Sequence, residues 1–275
     1  MKVAMTKYDQ EESNTTTKKR IVFIRHGQTF MNEFIDGINY GGPNFTDIFP
    51  DTPEYRKKYY DSPLSPTGIN QAQELHNKLK NLMNGKEDAA QQLSISPEDA
   101  SILQSLELIL VSPLTRALQT LDIGLFKTLS NEIPILAIPL ATERVYLVSD
   151  IGTSRLELKT RYPYIDFDTA FDTNDDSNWY YTPTEQETQN YVEWRPSGQG
   201  QKYACLGEPQ EHFDRRMSQL YRYLESCLES TIAVVCHAGV IDWFVEEIFE
   251  NCQVGVIPFE ELKPRGLVKE ELNQE

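Results

Sequence analysis

Ile21-Val22-Phe23-Ile24-Arg25-His26-Gly27 is the stretch on which the fold turns. Four apolar residues run without a break and stop at a charged pair and a glycine. A run that short and that apolar fits a strand covered on both faces, as in a parallel sheet. Residues 106–111, 133–138 and 232–236 have the same character. Helical patterns separate these runs. Ser65-Pro66 supplies N-cap and first-turn residue types. Ile69, Ala72, Leu75, Leu79 and Leu82 follow at helical spacing, and Gly85 can end the helix. Ser112-Pro113 repeats the start signal ahead of Leu114, Ala117, Leu118 and Leu121. A third helix is expected through Phe213, Met217, Leu220, Leu224 and Leu228. A fourth is expected from Gly239 through Val240, Phe244 and Ile248. Strand and helix alternation predicts an α/β fold, a three-layer sandwich around a mostly parallel central sheet.

The chain has 275 residues, 39% apolar and 25% charged, with a formal net charge of −16. That length admits one large domain, able to bury a core without disulfides or metals. The acidic balance argues against nucleic acid as a partner, which calls for a cationic surface, and against anionic membranes. A small phosphorylated substrate stays compatible, because salt screens a distant negative field while local arginines act at contact. Cys205, Cys227, Cys236 and Cys252 form no CxxC pair. A reduced, cytoplasmic protein is therefore expected. Residues 1–20 hold no run that reads as a signal peptide, and no stretch reaches transmembrane length. Residues 1–19 are read as a disordered tail, 20–257 as the domain and 258–275 as a C-terminal extension. Residues 33–63 fit no regular element well, and 87–101 read as a surface insertion. A long acidic insertion at about 150–206 carries Trp179, Tyr180, Tyr181, Tyr191 and Trp194. It is expected to cover the domain, as a substrate lid or a packed subdomain, and to repel highly charged substrates.

Ligands of open α/β sheets bind beyond the carboxyl ends of the strands. There the sequence places Arg25-His26-Gly27, then Ser112 with Arg116 one turn on, then Glu143, then His237-Ala238-Gly239. Two histidines, two arginines and a glutamate suit phosphoryl transfer through a covalent intermediate. A guanidinium matches phosphate oxygens with a planar fork of donors. A neutral imidazole can attack phosphorus, and a carboxylic acid can protonate the leaving oxygen. A second histidine can donate to the equatorial oxygens. No metal and no cofactor are called for.

These segments and their neighbours resemble the histidine phosphatase superfamily, in its phosphoglycerate-mutase-like branch. Residues 22–32 (VFIRHGQTFMN) resemble its signature. Leu64, Ser65, Gly68, Gln71 and Ala72 look like its LSxxGxxQA helix start, and residues 112–120 like its SPLxRAxQT segment. Gly207, Glu208, Phe213 and Arg216 are similar to its GExxxxFxxR helix, and residues 234–239 to its second-histidine strand. The matches run in order across residues 20–250. The resemblance implies that His26 is the phosphorylated nucleophile, that Arg25 and Arg116 clamp the phosphate and that His237 completes the pocket. It implies Glu143 as general acid and base, and Asn32 as a phosphate contact. It departs from the mutases at two places. Leu147 follows Tyr146 where they continue with glycine, and Met31 stands where they carry tryptophan. The expected activity is therefore a metal-independent phosphatase acting on a small phosphorylated substrate. The alternatives are a phosphoglycerate mutase or bisphosphatase, and a catalytically silent binding protein of the same fold. Oligomeric state is not legible. Glu157 and Glu208 compete with Glu143 for the acid role. His76 and His212 read as structural, and Asp166 and Asp168 as an acidic surface run rather than a metal site.

Overall fold

In the computed structural model the described residues are 18–37, 53–126, 128–129, 133–145, 147–171, 179–182 and 207–265. The proposed N-terminal tail up to residue 17, the chain beyond 265 and most of the acidic insertion, with Tyr191 and Trp194, lie outside them.

Among the described residues, five strands form one sheet: β1 (Arg20–Arg25), β2 (Leu108–Val111), β3 (Ile135–Ala137), β4 (Thr231–Cys236) and β5 (Val254–Pro258). Their order is β3-β2-β4-β1-β5. β1, β2, β3 and β4 pair in parallel, and β5 runs antiparallel along β1. Side chains alternate across a strand, so each strand serves two cores. Val22, Ile24, Ile109, Val111, Ala233 and Val235 face one cluster, and Ile21, Phe23, Leu108, Leu110, Ile232 and Val234 the other. The continuous apolar runs follow from burial on both faces.

The first face is covered by α3 (Pro66–Met83), α4 (Ala89–Leu93), α5 (Pro97–Leu103) and α6 (Thr115–Thr120), whose last turn widens into a π-helix over Leu121–Phe126. The second face is covered by α8 (Gln210–Ser226) and α9 (Ala238–Val245). Further helices are α1 (Phe30–Gly37), α2 (Pro53–Tyr59) and α7 (Arg155–Arg161). The result is the expected three-layer α/β sandwich. No helix among the described residues is long and apolar enough to cross a membrane.

The structure corrects several local expectations. The polar stretch 87–101 is not a plain insertion, because α4 and α5 bury Ala89, Leu93, Ala100 and Leu103 at helical spacing. Ser96 caps α5 by accepting from Asp99 N. Within 33–63, α1 continues to Gly37 and α2 begins at Pro53. α9 stops at Val245, where Glu246 takes a left-handed conformation, so Ile248 falls outside it and is exposed. α8 stops at Ser226, leaving Leu228 exposed. Strand β5 carries no unbroken apolar run, because Gly255 interrupts it and only Val254 is buried.

At the domain edge, the Lys19 ammonium donates to the carbonyls of Leu224, Glu225 and Cys227 at 2.6, 2.8 and 2.7 Å. A cation there complements the C-terminal end of the α8 dipole. Residues 259–265 return along the same side, with Leu262 buried and Lys263 N donating to Phe244 O.

Candidate active site

The β1-β4-β2 neighbourhood brings three strand ends together, and the ladder runs on past them. His26 N donates to Cys236 O, and Ser112 N to Val235 O, both at 3.0 Å. This register sets the His26 and His237 rings side by side, with centroids 5.1 Å apart. Both are buried.

His26 Nδ1 lies 2.7 Å from Gly27 O. A carbonyl only accepts, so Nδ1 carries the proton and Nε2 keeps its lone pair. Burial, and then the Arg116 charge, hold this imidazole well below the usual histidine range. The loop is pinned on four sides. Gly27 N donates to Thr120 Oγ1, and Gln28 N to Gln71 Oε1. Ser65 N donates to Gln28 O, and Asn251 Nδ2 to His26 O. A Cβ on Gly68 would sit 1.9 Å from Gln28 O, and one on Gly27 would sit 2.8 Å from Gly68 O. Only glycines let the loop pass the start of α3 so closely.

Asn32 forms a reciprocal cap at the start of α1. Its N donates to Thr29 Oγ1 at 3.0 Å, while its Oδ1 accepts from Thr29 N at 3.1 Å and from Thr29 Oγ1 at 3.0 Å. Its first duty is therefore helix capping. The Arg25 guanidinium donates from Nη1 to Phe249 O at 2.5 Å. Its Nε is buried with no partner among the described residues.

Arg116 differs from a plain clamp. Nε donates to His237 Nδ1 at 3.2 Å, Nη1 to Ser149 O at 2.6 Å and Nη2 to Asp150 Oδ1 at 2.8 Å. Three nitrogens of the fork thus meet protein acceptors. The Arg116–Asp150 pair is buried, with both side chains 5% exposed. Because Arg116 donates to Nδ1 of His237, the proton of that ring sits on Nε2, which meets Ser112 Oγ at 2.7 Å. Burial, and then Arg116, lower the His237 pKa as well.

Glu143 lies over the start of α9. Oε2 accepts from Gly239 N at 3.1 Å, and Oε1 from Arg144 N at 3.0 Å. A Cβ on Gly239 would fall 2.4 Å from Oε1. Burial, and then the Asp150 charge, raise the carboxyl above the usual glutamate range. The backbone below it is held by Arg216, which donates to the carbonyls of Leu140, Thr142 and Glu143. Arg216 is itself paired with the buried Glu208, Nη2 to Oε2 at 2.7 Å. Glu208 is thus engaged as an anchor. Glu157 is exposed and pairs with Arg161 along α7.

The other side charges and rings have protein partners. His76 Nδ1 bonds Thr128 Oγ1 at 2.7 Å. The His212 ring packs edge-on against Tyr181. Asp166 accepts from Asp168 N and from Thr169, while Asp168 pairs with Lys159. Among the described residues, no group of three or more His, Cys, Asp or Glu could hold a metal ion. Trp179 of the insertion packs against Gly152 and Phe171 and donates to Thr153 O, which makes it a packing residue.

Two buried carboxylates were not singled out from the sequence. Asp150 is described above. Asp61 accepts from N and Oγ1 of both Thr115 and Thr153 at 2.6–3.1 Å. It ties the start of α6, and so Arg116, to the 150–153 turn. Their distant partners left no local sign: Asp150 meets Arg116 34 residues away, and Asp61 meets Thr115 and Thr153 54 and 92 residues away.

The His26 shift has a measurable consequence. His26 stays neutral below the ordinary histidine pKa of about 6.5. In an NMR pH titration the His26 ring is therefore expected to protonate only well below 6.5. A His26 resonance titrating at about 6.5 or above would contradict this.

No protein-family model matches the chain, and no curated protein matches it. Solved structures do align with it. A candidate alpha-ribazole-5'-P phosphatase from Escherichia coli is 22% identical over 82% of this chain and 77% of its own, with a TM-score of 0.40. A phosphoglycerate mutase from Thermus thermophilus is 16% identical over 90% and 89%, with a TM-score of 0.37. The Rv3214 product of Mycobacterium tuberculosis is 15% identical over 86% and 90%, with a TM-score of 0.41. At these identities and scores no activity passes from them to this chain.

Proposed function

We propose that this chain is a phosphatase of the histidine phosphatase type, hydrolysing a phosphate monoester through a phosphohistidine at His26. One observation carries the reading. A buried neutral imidazole, its Nδ1–H held by Gly27 O, stands beside an arginine whose buried Nε has no partner among the described residues. A buried unpaired donor is costly, and an anion is its natural acceptor. The motif resemblance around both residues supports the same roles.

In this mechanism the phosphate enters against Arg25, with the side-chain Nδ2 of Asn32 and the two remaining N–H groups of Arg116 as further donors. His26 Nε2 forms the N–P bond as the bond from phosphorus to the alcohol oxygen breaks. The Glu143 carboxyl gives its proton to that oxygen. A water then attacks the phosphohistidine, passes its proton to the Glu143 carboxylate and returns the N–P electron pair to His26. The balance is ester plus water to alcohol plus phosphate. His237 donates to the equatorial oxygens of the transition state once Nε2–H turns from Ser112. Arginines supply the positive charge, so no metal takes part.

The test is phosphate release from a panel of monoesters in excess EDTA, with 3-phosphoglycerate and a bisphosphate primer included. Turnover is expected to be unchanged by the chelator, with acid-labile phosphate trapped on the protein. Isomerisation without release would identify a mutase. Strict dependence on an added metal would overturn the assignment.

A further inference from the structure

We infer that Asp150 is a specificity-determining residue, which pairs with Arg116 and thereby selects monoesters whose alcohol part carries no negative charge. The inference rests on the phosphatase reading and names its substrate class. Asp150 is fixed twice over: Oδ1 accepts from Arg116 Nη2 at 2.8 Å, and Oδ2 from Leu147 N at 2.9 Å. Ser149 O takes a second edge of the same guanidinium at 2.6 Å. The pair is buried, so bulk water screens it little.

The two arginines are therefore unequal. Arg25 contacts a neutral carbonyl, Phe249 O, and keeps a buried donor with no partner among the described residues. Arg116 arrives with its charge already matched by a carboxylate. One guanidinium is left to balance one phosphoryl group. A second anionic group on the substrate finds no unmatched cation at Arg116, because Asp150 already holds that charge. After burial, the Asp150 charge also raises the Glu143 carboxyl, which favours the protonated acid that a leaving oxygen needs. Arg116 also holds His237, so Asp150 acts on the phosphate through a neighbour and is a positioning residue for the reaction.

The test compares two esters of equal size, 4-carbamoylphenyl phosphate and 4-carboxyphenyl phosphate, on the full chain. A carboxylate brought into a partly screened site with no unmatched cation to receive it predicts a preference in kcat/KM for the carbamoyl ester on the order of tenfold. In Asp150→Asn that ratio is expected to fall to about threefold or less, whatever the absolute rate. The ratio is read within one preparation, so a loss of folded fraction cannot move it. Equal use of both esters by the wild type overturns the inference even without the variant, as does an unchanged ratio in Asp150→Asn. Failure to hydrolyse either ester in a His26-dependent way would instead overturn the phosphatase reading, and this inference with it.

Discussion

His26→Ala is expected to lose on the order of 10⁴-fold or more in kcat, the usual scale for removing a covalent nucleophile. The substitution removes the one nitrogen that can form the N–P bond, and nothing described beside it can replace that role. His237 has Nδ1 occupied by Arg116 and Nε2–H against Ser112. The fold should survive, because the side-chain hydrogen bond lost is the local one to Gly27 O. The main-chain support from Thr120, Gln71 and Asn251 does not involve the ring. A stability loss of about 1–2 kcal/mol is expected. Single-turnover phosphate release, thermal melting and trapping of labelled phosphate together check this. Turnover within tenfold of wild type, in protein free of contaminating phosphatase, would sink the mechanism.

Arg216→Leu should produce the largest stability loss, and it should take activity with it. The substitution leaves Glu208, 2% exposed, without its cation. Breaking a buried pair from one side costs about 3–5 kcal/mol, which lowers Tm by on the order of 10 °C in a domain of this size. It also frees the carbonyls of Leu140, Thr142 and Glu143. The Glu143 carboxyl would then lose the backbone platform that aims it across Gly239. Replacing both partners, Glu208→Leu with Arg216→Leu, is expected to recover part of the melting temperature and little of the kcat. The buried charge is gone in that variant, but the three carbonyls still lack their donor. A double variant with full activity would show that Arg216 serves stability alone.

The resemblance at His26, Gly68, Arg116 and His237 was legible because each sits in a short local pattern. Strand, turn and helix start follow one another within a few residues there, and local sequence governs such turns. The apolar runs of β1, β2 and β4 were legible for the same kind of reason, since burial on both faces leaves no polar position in the run. Strand β5 and helices α4 and α5 were not. Gly255 breaks the run of β5, and α4 and α5 each bury only two apolar residues within a polar stretch.

The sequence by itself determined the alternation of β1 to β4 with α3, α6, α8 and α9, the residue types at the strand ends and the acidic balance of the chain. Tertiary structure decided the rest. It set His26 beside His237, although 211 positions separate them, through the register of β1 on β4. It assigned Glu208 to Arg216 and Asp61 to two threonines, which left Glu143 to lie over the start of α9. It also turned Arg116 from a free clamp into one partner of a buried pair with Asp150. The physical reason is common to all of these. A buried charge must find a partner wherever the chain brings one, and contacts between distant residues leave no period in the sequence.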